Sequence, residues 1–203
     1  MNSMEFLDDI AALEALYGTA GAASMRKVVA RLTPLTRQWI AMARYGVLTT
    51  VGPDGTDGSP RGDDGAVVVE LDENTLLMPD WRGNNRLDSL RNIVADGRVS
   101  LMLMVAGSTT VLRINGRARL TVQADLRARF DRDGKQPATV IVIRIAEIYP
   151  QCARAQIRAD LWRRDDSAGV PSVGALLAEA SQGEEGGAQY DAAWPARAAK
   201  SMW

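Results

Sequence analysis

The stretch Gly46-Val47-Leu48-Thr49-Thr50-Val51-Gly52-Pro53-Asp54-Gly55 decides how the chain is read. Its first half is apolar and β-branched, and its second half is a run of turn formers. A strand that breaks into a sharp turn begins here, and Gly46 stops the helix before it. The same alternation continues downstream. Ala66 to Glu70 and Thr75 to Met78 read as strands around an Asp72-Glu73-Asn74 turn, and Val99 to Val105, Thr109 to Val122 and Thr139 to Tyr149 are longer candidates. The run Val140-Ile141-Val142-Ile143 is apolar on both faces, as expected of a barrel wall covered by a helix or a second subunit. One helix interrupts the strands, Arg86 to Ala95, with Leu87, Leu90, Ile93 and Val94 as its buried side.

Upstream, the chain reads as helical to about residue 45. Ser3 can cap a helix that gathers Phe6, Ile10, Leu13, Leu16 and Tyr17 on one side and ends near Gly18. A second helical stretch covers Ser24 to Leu32. Thr33-Pro34 then supplies a cap and a first-turn proline for a helix with Leu35, Trp39, Ile40 and Met42. Beyond Pro150, Gln151 to Trp162 is amphipathic, Asp165 to Gly169 is a polar linker, and weaker helices flank the Gly183 to Gly187 break. The pattern predicts a mainly β fold of the α+β class, a small closed barrel with helical flanks. Its parts are an N-terminal helical flank over 1–45, a barrel over 46–150 and a C-terminal helical extension over 151–203.

With 203 residues, 46% of them apolar, the chain can bury one ordinary core. A net charge of −1 offers no field for nucleic acid or an anionic membrane. No apolar run approaches the ~20 residues of a membrane helix. Glu5, Asp8 and Asp9 make the N-terminus acidic where an export signal is basic, so a cytoplasmic protein is expected.

There is no histidine, and Cys152 is the only cysteine. Histidine-based triads, histidine–metal centres, haem on a proximal histidine and intrachain disulfides are thereby excluded. No Asp/Glu spacing points to a carboxylate metal site. Cys152 reads as a packed, inert cysteine. Chemistry has to come from carboxylates, arginines, hydroxyls or a cofactor, which needs only binding, orientation and electrostatics from its protein.

Three segments are candidates for such binding. In Ser59-Pro60-Arg61-Gly62-Asp63, glycines at 58 and 62 keep backbone N–H groups approachable and Arg61 offers a fork of donors. It is either a phosphate seat or a solvated loop. In Pro79-Asp80-Trp81-Arg82-Gly83-Asn84-Asn85-Arg86, Asn84 or Asn85 can cap the following helix, whose N-terminus would sit beside Arg86. It is a second anion site or an ordinary helix start. Gly107-Ser108-Thr109-Thr110 is a turn whose hydroxyls could meet a polar ring edge. Arg127 is expected on an exposed helix, apart from these segments.

Taken together, these segments resemble the FMN-binding split-barrel superfamily typified by pyridoxamine 5′-phosphate oxidase, and its oxidase-related bacterial branch in particular. The resemblance rests on Gly46 to Thr50, Ser59 to Asp63, Gly83 to Arg86 with Asp88-Ser89-Leu90 and Asn92, Arg113 to Ala118, and Cys152 to Ala155 through Leu161-Trp162. The closing Tyr190 to Trp203 stretch resembles the tail of the same relatives. The resemblance implies a six-stranded, Greek-key-like split barrel and a homodimer with FMN at the subunit interface. It implies that Arg61, with Gly62 and Asp63, grips the FMN phosphate, and that Asn85 and Arg86 form a second phosphate-binding pair. Pro79 and Asp80 would run along the flavin, and Ser108 and Thr109 would approach it from a hairpin.

The departures narrow this reading. The family's substrate-binding lysine, five residues after the arginine, is Ala66 here, and the glutamine at the flavin's polar edge aligns with Val111. The late Arg-x-His substrate motif cannot exist without histidine. What is expected is an FMN-dependent oxidoreductase of another small-molecule substrate. The alternatives are a flavin-binding or redox-sensing protein without turnover, and a barrel that takes the deazaflavin F420.

Overall fold

The computed structural model describes residues 4–202. The order is α1 (Ile10–Tyr17), α2 (Ala22–Arg26), α3 (Pro34–Met42), β1 (Tyr45–Gly52), β2 (Gly55–Gly62), β3 (Val69–Asp72) and β4 (Thr75–Asp80). Then come α4 (Asp88–Ala95), β5 (Arg98–Met104), β6 (Val111–Thr121), α5 (Ala124–Ala128) and β7 (Thr139–Gln151). The chain ends with α6 (Arg154–Ala159), α7 (Val173–Ala180) and α8 (Gly187–Ser201). The fold is mainly β with helical flanks, as expected.

Seven strands, each antiparallel to its neighbours, form one sheet in the order β2-β1-β5-β6-β7-β4-β3. The strand beyond the six expected is β2, which the sequence presents as turn and loop. Its residues, Gly-Thr-Asp-Gly-Ser-Pro-Arg-Gly, have little intrinsic β preference. Pairing imposes the strand: the register Gly52↔Gly55 leaves Pro53 and Asp54 as a two-residue turn, and β1 zips onto β2 as far as Tyr45↔Gly62. Pro60 is tolerated because β2 is an edge.

The sheet curls on itself. β2 and β4 are five strand spacings apart in its order, roughly 24 Å if it were flat. Yet Arg61 at the end of β2 and Asp80 at the end of β4 touch at 2.7 Å. The ladder is open only between the edges β2 and β3, so the barrel is split. The chain crosses that opening with Asp63 N–H donating to Arg44 O at 2.9 Å and Val67 N–H to Ala43 O at 2.8 Å.

The interior is filled by Leu48, Leu101, Leu103, Ile114, Ile141 and Ile143, with Ile40 of α3 and Ile93 of α4 closing it. Helix α4 packs tightly on β1. A Cβ at Gly52 would lie 2.0 Å from Asn92 Oδ1, and Asn92 Nδ2 donates to Thr50 Oγ1 at 3.1 Å. At the bulge between Asn115 and Gly116, a Cβ on Gly116 would meet Arg144 O at 2.1 Å, so only glycine fits.

The flanks differ in part from expectation. Thr33 caps α3 in a reciprocal capping box, with Pro34 in the first turn. Asp9, not Ser3, caps α1, and Ser3 lies outside the described residues. The apolar side of α1 is left bare, with Ile10 and Leu16 exposed. The second helix is only α2. Past it Val29 leaves helical geometry to exchange two backbone bonds with Ile148 of β7, at 3.2 and 2.7 Å. Cys152 is exposed and not packed. Asp191 of α8 receives the Gly174 N–H of α7 at 2.8 Å and joins the last two helices. No helix among the described residues is long and apolar enough to cross a membrane.

Candidate functional site

An open cleft of about 1210 Å³ lies along the split. One wall is residues 57–63 of β2 and its exit, and another is residues 79–90, from the end of β4 into α4. Arg127, Gln136 and Thr139 close it from the α5–β7 side. Asp57, Asp63, Asp80 and Asp88 face it, as do Arg61, Arg82, Arg86 and Arg127. The acids and bases balance, so anion binding here depends on where individual donors aim.

Arg61 is the best-aimed donor. Its side chain is only 17% exposed, and its Nη1 donates to Asp80 Oδ1 at 2.7 Å. Its Nε is buried and has no partner among the described residues. Asp80 thus fixes one end of the guanidinium and leaves Nε, on the edge that takes an oxyanion side-on, unsatisfied. A buried donor without a partner costs about 1–3 kcal/mol, which a bound oxyanion would restore. Thr139 Oγ1, whose residue pairs with Asp80 across β4 and β7, is a second buried polar atom without a partner.

Just past β2, Asp63 is almost fully enclosed, with its side chain 3% exposed. It accepts from Trp81 Nε1 at 2.8 Å, from Gly65 N–H at 3.2 Å, and from the Arg132 guanidinium. Burial opposes its ionisation, but these donors outweigh burial and hold the carboxyl below the usual carboxylate range. Asp63 is a structural anchor of the rim. Its charge is spent on Trp81 and Arg132.

The loop before α4 takes an unusual path. Asn85 and Leu87 both have positive φ, at 63° and 64°, a conformation uncommon for residues other than glycine. The expected side-chain cap from Asn84 or Asn85 is absent. Leu87 holds the cap position with no side-chain bond, and Asn84 Oδ1 instead accepts from Arg86 N–H at 3.1 Å. The first turn of α4 thus has no side-chain cap on its N–H groups. Arg86 is exposed and pairs with Asp88 at 2.8 Å.

Of the residues expected to bind a cofactor, Arg61, Gly62, Asp63, Pro79, Asp80, Asn85 and Arg86 all line this one cleft. Ser108 and Thr109 do not. They lie in the β5–β6 loop, where Trp162 Nε1 donates to Ser108 O at 2.7 Å. Arg127 is no bystander, since its Nε donates to Pro137 O at 2.8 Å and it lines the cleft. Sequence reasoning missed the Asp57–Ser89 bond at 2.5 Å, which ties β2 to α4, and the arrival of Arg132 at Asp63. Neither carries a local signal, because each joins segments far apart in the chain. No group of metal-ligating residues occurs among the described residues.

Solved structures that the chain resembles include HupZ of Group A Streptococcus, at 14% identity over 59% of this chain and 93% of that one, with a TM-score of 0.49. General stress protein 26 of Bacillus anthracis str. Sterne has 18% identity over 57% and 91%, with a TM-score of 0.44. An FMN-binding protein of Syntrophomonas wolfei subsp. wolfei has 14% identity over 70% and 97%, with a TM-score of 0.43. No curated protein matches the chain significantly. The family model for pyridoxamine 5′-phosphate oxidase matches residues 32–152, from the approach to α3 through the end of β7. That span is more than half of the chain and contains both walls of the cleft, and it makes this protein a member of the pyridoxamine 5′-phosphate oxidase family.

Proposed function

We propose that the protein is a cytoplasmic FMN-binding flavoprotein, a homodimer with the flavin at the subunit interface, and an oxidoreductase of a small-molecule substrate. The observation that carries this reading is the buried Arg61 Nε, left without a partner at the wall of a large cleft in a chain of this family. A phosphate is the ligand group that matches an arginine edge, an uncapped helix start and nearby glycine backbone together. In this reading Arg61 with Gly62 holds the phosphate from the β2 side, and Asn85 and Arg86 hold it from the α4 side. Pro79 and Asp80 flank the ring. When bound, FMN supplies hydride or electron transfer at its own ring, so the lack of histidine is no obstacle. Residues 46–150 form the flavin-binding part, with 1–45 and 151–203 as its helical flanks. Ser108 and Thr109 sit outside the cleft of one protomer, and in this reading they reach a flavin only across the dimer.

The visible spectrum of the purified protein tests the proposal. A two-band flavin spectrum is expected, either as isolated or after dialysis against FMN. A protein that stays colourless after that dialysis refutes it. Mass spectrometry of the released ligand distinguishes FMN from F420, and bleaching by a reduced nicotinamide distinguishes an oxidoreductase from a carrier.

A further inference from the structure

On the outer face of the sheet, three arginines stand in one row. Arg98 of β5 pairs with Arg117 of β6, and Arg117 pairs with Arg144 of β7. Residues paired across an antiparallel ladder share a face, and Arg119, two positions along β6, shares it too. All four are exposed. Like charges placed directly opposite destabilise a sheet, and against the four arginines stand two nearby carboxylates, Asp96 and Asp72. The carboxylate of Asp96 is taken up by Arg98, with bonds of 2.7 and 2.8 Å that draw its pKa down to about 2. Arg117 Nη2 donates to the main-chain oxygen of Asp96 at 2.8 Å, and the Arg117 charge also helps to lower the Asp96 carboxyl. Among the described residues no ion pair joins Arg117, Arg119 or Arg144 to a carboxylate, and Asp72 feels Arg144 only at longer range.

These three arginines do not spread over a convex surface. They line an open depression of about 700 Å³, apart from the seam cleft, with Leu71, Val94 and Val142 among its apolar walls and Asp96 as its one carboxylate. Cross-strand neighbours stand about 5 Å apart, and residues two apart on a strand about 7 Å. Arg117 is the corner of this arrangement, with Arg144 across the ladder and Arg119 along the strand. Three guanidinium groups so placed can converge on two adjoining phosphates, each of which accepts side-on, paired bonds.

We propose that this depression is a second ligand site, which takes a small molecule bearing a diphosphate group. Arg117, Arg119 and Arg144 hold the phosphates, and the apolar walls receive the rest of the molecule. The site stands independently of the flavin reading, since it shares no residue with the seam cleft.

Calorimetric titration of inorganic pyrophosphate, and separately of ADP, into the full-length protein tests the proposal. One-to-one saturation is expected, with ADP tighter than pyrophosphate because it also covers the apolar walls. Arg119→Gln and Arg144→Gln, both at exposed positions, should each weaken binding about ten- to a hundredfold. Arg164→Gln, exposed and paired with Asp166, should leave it unchanged. Without ligand, Arg144→Gln should raise the melting temperature at low salt by relieving the repulsion. The proposal is overturned if no saturation is reached, if Arg119→Gln and Arg144→Gln leave binding unchanged, or if Arg164→Gln weakens it as much as Arg144→Gln.

Discussion

Arg132 lies over the ring of Trp81, 4.5 Å from its centroid, and both residues donate to the carboxylate of Asp63. The three come from the α5–β7 loop, the β4–α4 loop and the exit of β2. One acid therefore ties together three segments that have no backbone ladder in common, at the rim of the cleft. The split in the barrel is bounded by side chains where strands do not meet.

This clamp makes stability depend on pH. The folded-state pKa of Asp63 lies below its ordinary 3.8, so its contribution is fully present above the unfolded value and is lost as pH falls through the folded one. Melting temperature should drop as pH goes below about 4. Asp63→Asn should lower the melting temperature at neutral pH and reduce the acid-side slope. An unchanged slope in that variant would mean that the clamp contributes nothing.

In the proposed flavin site, the pair Arg61–Asp80 couples binding to folding. With side chains 17% and 15% exposed, Arg61→Ala strands a mostly enclosed carboxylate and should cost about 1–3 kcal/mol of stability. FMN affinity should fall about ten- to a hundredfold, with a much smaller loss for riboflavin, which has no phosphate. Arg86→Ala should weaken FMN by the same factor or less and leave the melting temperature unchanged. Flavin-fluorescence titration of both ligands decides this. An equal loss for riboflavin would assign the arginines to the barrel and not to the phosphate.

Pyridoxamine and pyridoxine phosphates should not be turned over at a useful rate. The family's substrate-binding lysine is Ala66 here, and the chain has no histidine for the late substrate motif. Oxygen consumption coupled to pyridoxal phosphate formation is the measurement, and robust turnover would contradict the expectation.

The flanks should carry a dimer. Trp194 is 55% and Trp162 38% exposed, and the apolar residues of α1 have nothing over them. Light scattering should return twice the chain mass at micromolar protein, with an interface of about 2,000 Å² or more. A monomer mass would remove the subunit interface from the flavin proposal.

Most of the barrel is legible in the sequence because its strands are apolar and β-branched. β7, with Val140, Ile141 and Ile143 buried, needs no tertiary context to be recognised. The Thr33-Pro34 helix start is equally local. The failures share one cause, which is information that exists only after folding. β2 is a strand because β1 lies beside it, and Val29 leaves helix because Ile148 offers it two backbone bonds. The positive φ of Leu87 is imposed by the path into α4, and no preference of leucine announces it. In the cleft, Arg61 and Asp80 were each readable as candidates, but their contact depends on the curl of the whole sheet.

The residues that make β2 hard to recognise also protect it. An edge strand exposes a row of unpaired N–H and C=O groups that can recruit another chain into aggregates. β2 meets that hazard with Pro60, which has no N–H to offer, with Asp57 and Arg61, and with three glycines that give a foreign strand no apolar surface to settle on. Replacing its glycines and proline with valine and threonine would produce a better-looking strand and a protein prone to precipitate.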